Sequence, residues 1–320
     1  MALKRTFSPT FGLVLLLTIH SLSPSSAARL IHAQQLSLAV PELPAFREAP
    51  AFRNGDGCGE GKGREQGMIH VAMTLDTNYL RGTMAAIFSM LQHATCPENL
   101  FFHFMAAHYE EELSSSINTT FPYLADVVPP EVTRVIYLDS DLVLVDDIGK
   151  LWGVDLEGKV IGAPEYCHAN FSQYFTAAFW GSPEYRRVFE GRRPCYFNTG
   201  VMVVDLERWR EGGYRGKMEG WMRLQKRERI YQLGSLPPFL LVLAGEIKAV
   251  DLRWNQHGLG GDNYEGRCRS LHEGGVSLLH WSGKGKPWLR LDSRKPCAVD
   301  RLWEPYDLYR SRTFLEEYSS

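Results

Sequence analysis

The chain has 320 residues, of which 44% are hydrophobic, 22% charged and 12% aromatic, and its formal net charge is −2. This composition excludes wholesale disorder, a collagen-like repeat and a coiled coil. The near-neutral charge excludes a global basic field for nucleic acid, and the absence of long apolar runs excludes a multispan transporter.

The N-terminus has the pattern of a secretory address. Lys4 and Arg5 precede an apolar run over residues 11–19, and a stretch of small and polar residues follows over 21–28. This order is typical of a secretory signal. Residues 1–28 are therefore predicted to be either a cleaved signal peptide or a type II signal-anchor that keeps the protein on a luminal membrane face. The Golgi is the expected compartment, with the ER as the alternative.

The cysteines and two sequons agree with luminal exposure. Six cysteines in a secretory chain permit disulfides, in fifteen alternative pairings, although some could be free buried thiols. No pair has CxxC spacing, which disfavours a zinc ribbon. Asn118 and Asn170 each begin an N-glycosylation sequon.

Composition divides the remainder of the chain. Residues 29–66 lack periodicity and contain several prolines and a glycine-rich stretch, so they are predicted to be a stem or linker. Residues 67–311 are predicted to form the folded domain, and 312–320 a tail. Neither GxGxxG after a strand nor GxxxxGK[ST] occurs, which excludes a dinucleotide fingerprint and a P-loop.

Strand and helix patterns alternate within the folded domain. Residues 69–75, 100–106 and 134–138 read as buried strands, apolar residues recur at helical spacing from Leu80 to Leu91, and a short helix is expected over 110–117. Later strands are expected over 160–162, 200–204, 247–250 and 276–279. This alternation predicts an α/β fold with a mostly parallel central sheet flanked by helices. Ligands of such sheets gather beyond the carboxyl ends of the strands.

Two acidic residues follow one of these strands directly. Asp139 and Asp141 are two residues apart in extended chain, so their side chains point the same way and their charges repel. A divalent cation would relieve this repulsion, and oxygen ligands suit magnesium or manganese. An acidic turn at a strand end is the alternative interpretation.

A second polar loop follows the last predicted strand and begins at His280. His280 can supply a third metal ligand, which favours manganese. Gly283 and Gly285 allow the backbone to approach a phosphate, and Lys286 supplies positive charge. A glycine-rich loop with solvated lysines is the alternative.

Together these motifs resemble the family 8 retaining glycosyltransferases, and in detail the plant galacturonosyltransferase-like subgroup. The resemblance is carried by the DxD of Asp139 and Asp141, the Phe197–Gly200 stretch and the HxxGxxKPW of His280–Trp288. Supporting stretches lie at 70–76, 162–171, 233–238 and 254–262. The similarity covers nearly everything from Met68 to Arg310.

The resemblance implies a GT-A fold, a UDP-sugar donor, Mn²⁺ between protein carboxylates and the diphosphate, and a set of site residues. By matching position, the metal ligands would be Asp139, Asp141 and His280, and the donor-binding residues Thr74, Asp76, Tyr79, Asn198, Gly283 and Lys286. Tyr79 could instead be an aromatic residue on a helix face, and Asn198 a turn residue. Glu165 and Asp262 are the acidic residues to test for catalysis, with structural hydrogen bonding or N-capping as their alternative role.

The implied function is retaining transfer of a sugar, galacturonate first, to a growing cell-wall polysaccharide or oligosaccharide acceptor. Pectin is the first choice and xylan the second. Other glycosyltransferases are expected as further partners, and nucleic acid is not. The alternative is a catalytically weak relative that acts as a partner or scaffold for an active glycosyltransferase.

The similarity breaks between Tyr123 and Leu124. Family members carry a few tens of additional residues there, which form a strand and a helix and include an arginine near the donor. The short stretch with Pro122, Pro129 and Pro130 has no room for these elements. We therefore expect a less well covered sheet face and reduced transfer activity.

Overall fold

The computed structural model describes residues 15–19, 46–58, 67–106, 121–193, 195–232, 236–261 and 268–309. The predicted helix over 110–117, Asn118, Asp262 and the 312–320 tail lie outside these residues. The strands are β1 Leu15–Ile19, β2 Ile69–Leu75, β3 Leu100–Ala106, β4 Arg134–Leu138, β5 Leu142–Leu144, β6 Ile161–Tyr166, β7 Tyr196–Phe197, β8 Val201–Asp205, β9 Lys248–Val250 and β10 Leu278–His280.

The central sheet has the strand order β1-β3-β2-β4-β8-β6-β7, and β9 pairs with β6. Strands β3, β2 and β4 run parallel, as does β9 beside β6, whereas β8 is antiparallel to both β4 and β6. The sheet is thus mixed. Its parallel part contains β2 and β4, the two strands that are followed by residues predicted for the site. The α/β prediction is confirmed. The predicted strands over 160–162, 200–204, 247–250 and 276–279 begin one or two residues later than expected.

Helices cover both faces of this sheet. They are α1 Leu80–His93, α2 Leu124–Val127, α3 Ile148–Trp152, α4 Ala177–Gly181, α5 Pro183–Arg186, α6 Leu206–Glu211, α7 Tyr214–Arg227, α8 Leu236–Leu243 and α9 Pro287–Asp292. Alternating residues of each strand enter opposite cores: Val71 and Ile136 pack with α1 and α3, whereas Ala72 and Val135 pack with α6 and α8. Among the described residues, no helix has both the length and the apolar character needed to cross a membrane.

A small second sheet connects the two polar loops predicted from the sequence. Strand β10 lies antiparallel to β5, with His280 opposite Leu142 and Leu278 opposite Leu144. Immediately beside this ladder, the Trp281 N–H donates a 2.8 Å hydrogen bond to the Asp141 carbonyl oxygen. The sequence did not predict β5, because its three residues are too few to show a period.

Part of the predicted stem lies on the folded domain. Cys58 forms a disulfide with Cys96, and Phe52 lies 5.9 Å from Phe88 of α1 between ring centroids. Two further disulfides join Cys167 to Cys195 and Cys268 to Cys297. The described residues therefore extend the domain back at least to residue 46, and three pairings replace the fifteen that the sequence allowed.

The sheet face near the shortened junction is covered in the described part of the chain. At the sheet edge, strand β3 pairs with the backbone of Leu15–Ile19, which belongs to the predicted signal segment 1–28, so a chain without that segment would leave this edge of β3 unpaired. On the face packed with α2, Met105 is 3% exposed and His103 is 1% exposed. The short helix α2, which follows Tyr123 directly, buries Leu124 and Ala125 against this face. The poorly covered face that we expected from the sequence is therefore not seen at these positions.

Helix α1 approaches the Asp139–Asp141 loop closely because one of its residues has no side chain. A Cβ atom on Gly82 would overlap the Ser140 carbonyl oxygen and lie 2.7 Å from the ring of Trp288. Gly220 of α7, in contrast, has nothing within 4 Å of the corresponding position. Gly82 thus sets the distance between α1, the DxD loop and α9.

We predict that Gly82→Ala destabilises the protein by about 1–3 kcal/mol, because overpacking forces the loop or Trp288 to move. The matched control Gly220→Ala should stabilise it by about 0.5–1 kcal/mol, since alanine loses less conformational entropy in a helix. Urea unfolding of the two variants provides the measurement. Equal effects of the two substitutions would contradict this packing account.

Candidate active site

Asp139, Asp141 and His280 form one cluster, in which ligand atoms from all three lie within 4.8 Å of one another. His280 Nε2 lies 3.1 Å from Asp141 Oδ1 and 3.6 Å from Asp139 Oδ2. The His280 side chain is fully buried and that of Asp141 nearly so, whereas the Asp139 side chain is 39% exposed. The cluster is therefore buried on the side of His280 and Asp141 and open to solvent on the side of Asp139.

Strand register explains this convergence. Leu138 pairs with Val201 in the central sheet, and the Asp139 N–H continues the ladder with a 2.9 Å hydrogen bond to the Gly200 carbonyl oxygen. The pairing of β10 with β5 then places His280 against the residue that follows Asp141. A Cβ atom on Gly200 would overlap both Asp139 Oδ2 and His280 Cε1, so the cluster can close only over a glycine.

Lys286 is buried beside the cluster, at the residue that precedes α9. Its Nζ donates a hydrogen bond to Asp141 Oδ2 and a second one, of 3.0 Å, to the Trp281 carbonyl oxygen. The same ammonium lies 5.3 Å from the centroid of the Tyr79 ring, within cation–π distance. Lys286 thus links the acidic pair to the aromatic residue predicted near the nucleotide.

The two carboxylates have opposite electrostatic environments. Burial and then the charge of Asp141 raise the pKa of Asp139. Burial alone would also raise the pKa of Asp141, but His280 and Lys286 outweigh it and lower that pKa to about 2. Lys286 therefore neutralises Asp141 chiefly, and the Asp139 side of the cluster retains negative charge that a cation would compensate.

The donor atoms fit a divalent metal ion. Two carboxylate oxygens and one imidazole nitrogen face a common point, and the net charge of the acidic pair exceeds that of the one lysine beside it. Hard oxygen ligands with a single nitrogen suit Mg²⁺ or Mn²⁺. A second group of ligand types, Glu165 with Cys167 and Cys195, does not qualify because its sulfurs form a disulfide.

The chain's relatives decide its family. The model of "Glycosyl transferase family 8" matches residues 120–292, which is just over half of the chain. The chain belongs to glycosyltransferase family 8. It is 62% identical to "Probable galacturonosyltransferase-like 4" of Arabidopsis thaliana over 87% of this chain and 89% of that protein. It is also 55% identical to "Probable galacturonosyltransferase-like 3" of the same plant over 86% and 92%.

Solved structures agree on the fold of this family 8 chain. The glycosyltransferase GlyE of Streptococcus pneumoniae, in its apo form, superposes with a TM-score of 0.54 at 18% identity over 78% of this chain and 63% of that chain. The galactosyltransferase LgtC, in complex with donor and acceptor sugar analogues, has a TM-score of 0.54 at 16% identity over 78% and 100%. The GT-A prediction is confirmed, and the chain is a glycosyltransferase.

The galacturonosyltransferase-like relatives contain residues that this family 8 chain lacks. The alignment with galacturonosyltransferase-like 4 has 316 positions but uses 87% of the 320 residues, about 278, so about 38 positions have no counterpart here. The family model also begins to match only at residue 120, although β2 and β3 precede that point. The number of unmatched positions is of the size expected for the segment missing at Tyr123 and Leu124.

The three residues predicted around the nucleotide differ in whether they contact neighbours of the cluster. The Thr74 carbonyl oxygen accepts a 2.8 Å hydrogen bond from Ser140, which lies between the two aspartates. Tyr79 contacts Lys286 and lies edge-on to Trp288, with a ring separation of 5.9 Å. Asp76 caps the following turn by accepting a 2.7 Å hydrogen bond from the Asn78 N–H. Thr74 and Tyr79 thus contact the cluster's neighbours, and Asp76 has a local structural partner.

Two other predicted donor residues have structural partners at the cluster. Asn198 Oδ1 accepts a 2.8 Å hydrogen bond from the Gly200 N–H. Gly283 has a φ of 114° and packs so closely on Gly260 that a Cβ atom would lie 2.6 Å from the Gly260 carbonyl oxygen. The glycine is therefore required by backbone packing between two loops. Whether either residue also contacts the donor stays a prediction.

Glu165 lies on β6 beside a residue that does reach the site. Tyr166 donates its hydroxyl hydrogen to the Asn255 carbonyl oxygen, whereas Glu165 points to the other face, near the Cys167–Cys195 disulfide. Burial raises the pKa of Glu165, and the charge of Arg193 opposes this shift. Its catalytic role stays a prediction, as does that of Asp262.

Sequence reasoning assigned no role to Asn255, Gly200 and Tyr166, which the structure places around the cluster. Each was part of a stretch that supports the family resemblance, but a single asparagine, glycine or tyrosine carries no periodic or spacing signal. Their roles depend on contacts between segments that are far apart in the chain.

We predict that Lys286→Met destabilises the metal-free protein by about 3–5 kcal/mol, because Asp141 keeps its charge in a buried site without the ammonium that pairs with it. The measurement is urea unfolding in EDTA and again with saturating Mn²⁺. A cation at the cluster would replace the lost positive charge, so the deficit should shrink when Mn²⁺ is added. Unchanged stability in EDTA would contradict the electrostatic account.

Proposed function

We propose that this chain transfers galacturonate, with retention of anomeric configuration, from a UDP-sugar to a growing cell-wall polysaccharide or oligosaccharide. Pectin is the acceptor that we propose first, and xylan is the second candidate. The observation that carries the proposal is the convergence of Asp139, Asp141 and His280 beside Lys286 and Tyr79. The names of the relatives, which share up to 62% identity with this chain, supply the sugar class.

The arrangement supports Mn²⁺ as the cofactor, held by Asp139, Asp141 and His280. The bound ion would act as a Lewis acid toward the donor diphosphate. Lys286 would exchange its contact with Asp141 for a phosphate oxygen and so stabilise the negative charge of the departing UDP. Tyr79, on the far side of Lys286, would stack on the uracil ring.

The proposed reaction is a displacement in which the acceptor hydroxyl attacks the anomeric carbon on the same face of the sugar that UDP leaves. The bond between the anomeric carbon and the β-phosphate oxygen breaks with its electron pair remaining on UDP. An acceptor hydroxyl oxygen forms the new bond to the same carbon from the same face. Its proton passes to the departing phosphate oxygen, so no protein carboxylate has to form a covalent intermediate.

Four cationic or protonatable residues are candidates for recognising the donor carboxylate, and they differ in the contacts that they make. Arg253 bonds to Ser277, Arg290 bonds to Asp300, and Lys284 lies exposed in its loop. His257 instead packs 4.2 Å from Tyr166 between ring centroids, and its buried Nε2 has no hydrogen-bond partner among the described residues. Arg290 likewise has a buried Nε and Nη1 without a partner among the described residues, so His257 and Arg290 are our first candidates for the uronate contact.

The alternative is a weak relative that serves as a partner or scaffold for another glycosyltransferase. Such a protein would have no need for an intact acidic pair, histidine and buried lysine in mutual contact. The cluster is complete in this chain, which favours the enzyme. Other glycosyltransferases can still be partners of an active chain.

We predict that Asp141→Asn abolishes the Mn²⁺-dependent protection by UDP against thermal unfolding, because a neutral amide is a poor ligand for a divalent cation. The matched control is Asp147→Asn. Asp147 lies beyond β5, and its two carboxylate oxygens accept backbone hydrogen bonds from Gly149 and Thr95. An asparagine can keep only one of these bonds, so the control should lower stability slightly and leave the Mn²⁺-dependent protection intact. Full protection in Asp141→Asn would contradict the metal assignment and the function that depends on it.

We also propose a secretory location, in the Golgi lumen or on its membrane. Asn170 is exposed, and its sequon lies next to the Cys167–Cys195 disulfide. A tagged chain expressed in plant cells should therefore carry N-glycans that an endoglycosidase removes, and Asn170→Gln should lose one of them. An unglycosylated protein that fractionates with the cytosol would contradict the secretory location.

A further inference from the structure

The described part of the site contains a hydrogen-bond chain that ends on the metal-facing histidine. Asn255 is fully buried at the turn after Trp254, and its side chain lies between Asn198 and His280. Its Nδ2 is 3.3 Å from Asn198 Oδ1, and its Oδ1 is 2.9 Å from His280 Nδ1. Among the hydrogen bonds of the described residues, none joins Asn255 to either carboxylate, so its contribution would be indirect.

The direction of each bond in this chain follows from one backbone N–H. The Gly200 N–H can only donate, so the Asn198 atom that it meets at 2.8 Å is an oxygen. That oxygen then accepts from the Asn255 amide nitrogen, which leaves the Asn255 oxygen facing His280 Nδ1. An amide oxygen can only accept, and His280 Nδ1 therefore carries the hydrogen.

The result is a defined tautomer at the cluster. In the neutral form that can bind a metal, a hydrogen on Nδ1 leaves the lone pair on Nε2, the atom that faces Asp141 and Asp139 at 3.1 and 3.6 Å. A metal ion can bind this lone pair directly. In the other tautomer Nε2–H would donate to Asp141 Oδ1, and two of the three ligand atoms would be occupied by that hydrogen bond.

We propose that Asn255 is a positioning residue that holds His280 in the tautomer able to bind the metal. This inference rests on the proposed function through the identity of the metal site. Partners of this kind typically change metal affinity by about 10- to 100-fold when they are removed. The role is distinct from packing, because it depends on a hydrogen-bond acceptor at one atom.

The chain offers a matched control in the next residue. Gln256 is also buried, at 1% exposed, but its side chain bonds to backbone: its Oε1 accepts a 2.8 Å hydrogen bond from the His272 N–H. It makes no contact with His280 through its side chain among the bonds that the structure describes. Removing it should cost stability without altering the tautomer.

The experiment is titration of the full chain with Mn²⁺ in the absence of nucleotide, with free Mn²⁺ measured by electron paramagnetic resonance. Asn255→Leu should raise the Kd for Mn²⁺ by about 10- to 100-fold. Asn255→Asp retains an acceptor for Nδ1–H and should stay within a few-fold of the native chain. Gln256→Leu should lower the melting temperature and leave the Kd unchanged.

Two outcomes would overturn the proposal. One is a native Kd in folded Asn255→Leu, and the other is an equal loss of affinity in Asn255→Leu and Gln256→Leu, which would indicate general disruption. If Asn255→Leu does not fold, Asn255→Ser replaces it in the comparison with Asn255→Asp, and equal Kd values for that pair would overturn the proposal. A native chain that binds no Mn²⁺ would instead refute the proposed function, and this role with it.

Discussion

The site depends on the repulsion between two aspartates that the fold holds together. Asp139 and Asp141 are two residues apart at the end of β4, and backbone pairing with Gly200 and Trp281 prevents them from separating. Lys286 neutralises one of them, and the other keeps an open side. Much of the surrounding structure, from the glycine beneath the cluster to the buried histidine, follows from concentrating negative charge at one point where a cation and a diphosphate can bind.

Close backbone approach makes this concentration possible. Gly82 admits α1 to the DxD loop, Gly200 lets the cluster close, and Gly260 with Gly283 lets two loops pack against each other. These four glycines act on the cluster only through the close backbone packing that they permit. The chemistry of the cluster is therefore held by packing from several distant segments, which explains why family membership is detectable along most of the chain.

The sequence predicted the strands best where they are long and apolar, as in β2, β3 and β4, because a run of buried residues that ends in a polar turn is a local signal. It also predicted that Asp139, Asp141 and His280 converge, since each follows a predicted strand end, whereas the position of Lys286 was implied by the family resemblance. It could not predict β5, the disulfide partners or the Asn198–Asn255–His280 chain. Those depend on register between segments that are far apart, and a buried asparagine looks like a turn residue in the sequence.

We expect the shortened junction to limit how much activity the intact cluster can support. The alignment with galacturonosyltransferase-like 4 has about 38 positions without a counterpart here, and the family resemblance predicts an arginine near the donor in the segment missing at Tyr123–Leu124. Loss of one charge-assisted contact of about 1.5–3 kcal/mol would slow transfer by roughly ten- to a hundredfold if the contact acts in the transition state. The cluster itself lies in other elements, and α2 covers the neighbouring sheet face in the described chain.

The most direct test of the account is UDP release from UDP-galacturonate by the purified chain, measured with Mn²⁺ and with EDTA. The same assay is applied to a chain with the missing segment of a relative grafted between Tyr123 and Leu124. The account predicts Mn²⁺-dependent release by the native chain and faster release by the graft. No Mn²⁺-dependent release by either protein would contradict the claim that this cluster is the metal site of a sugar transferase.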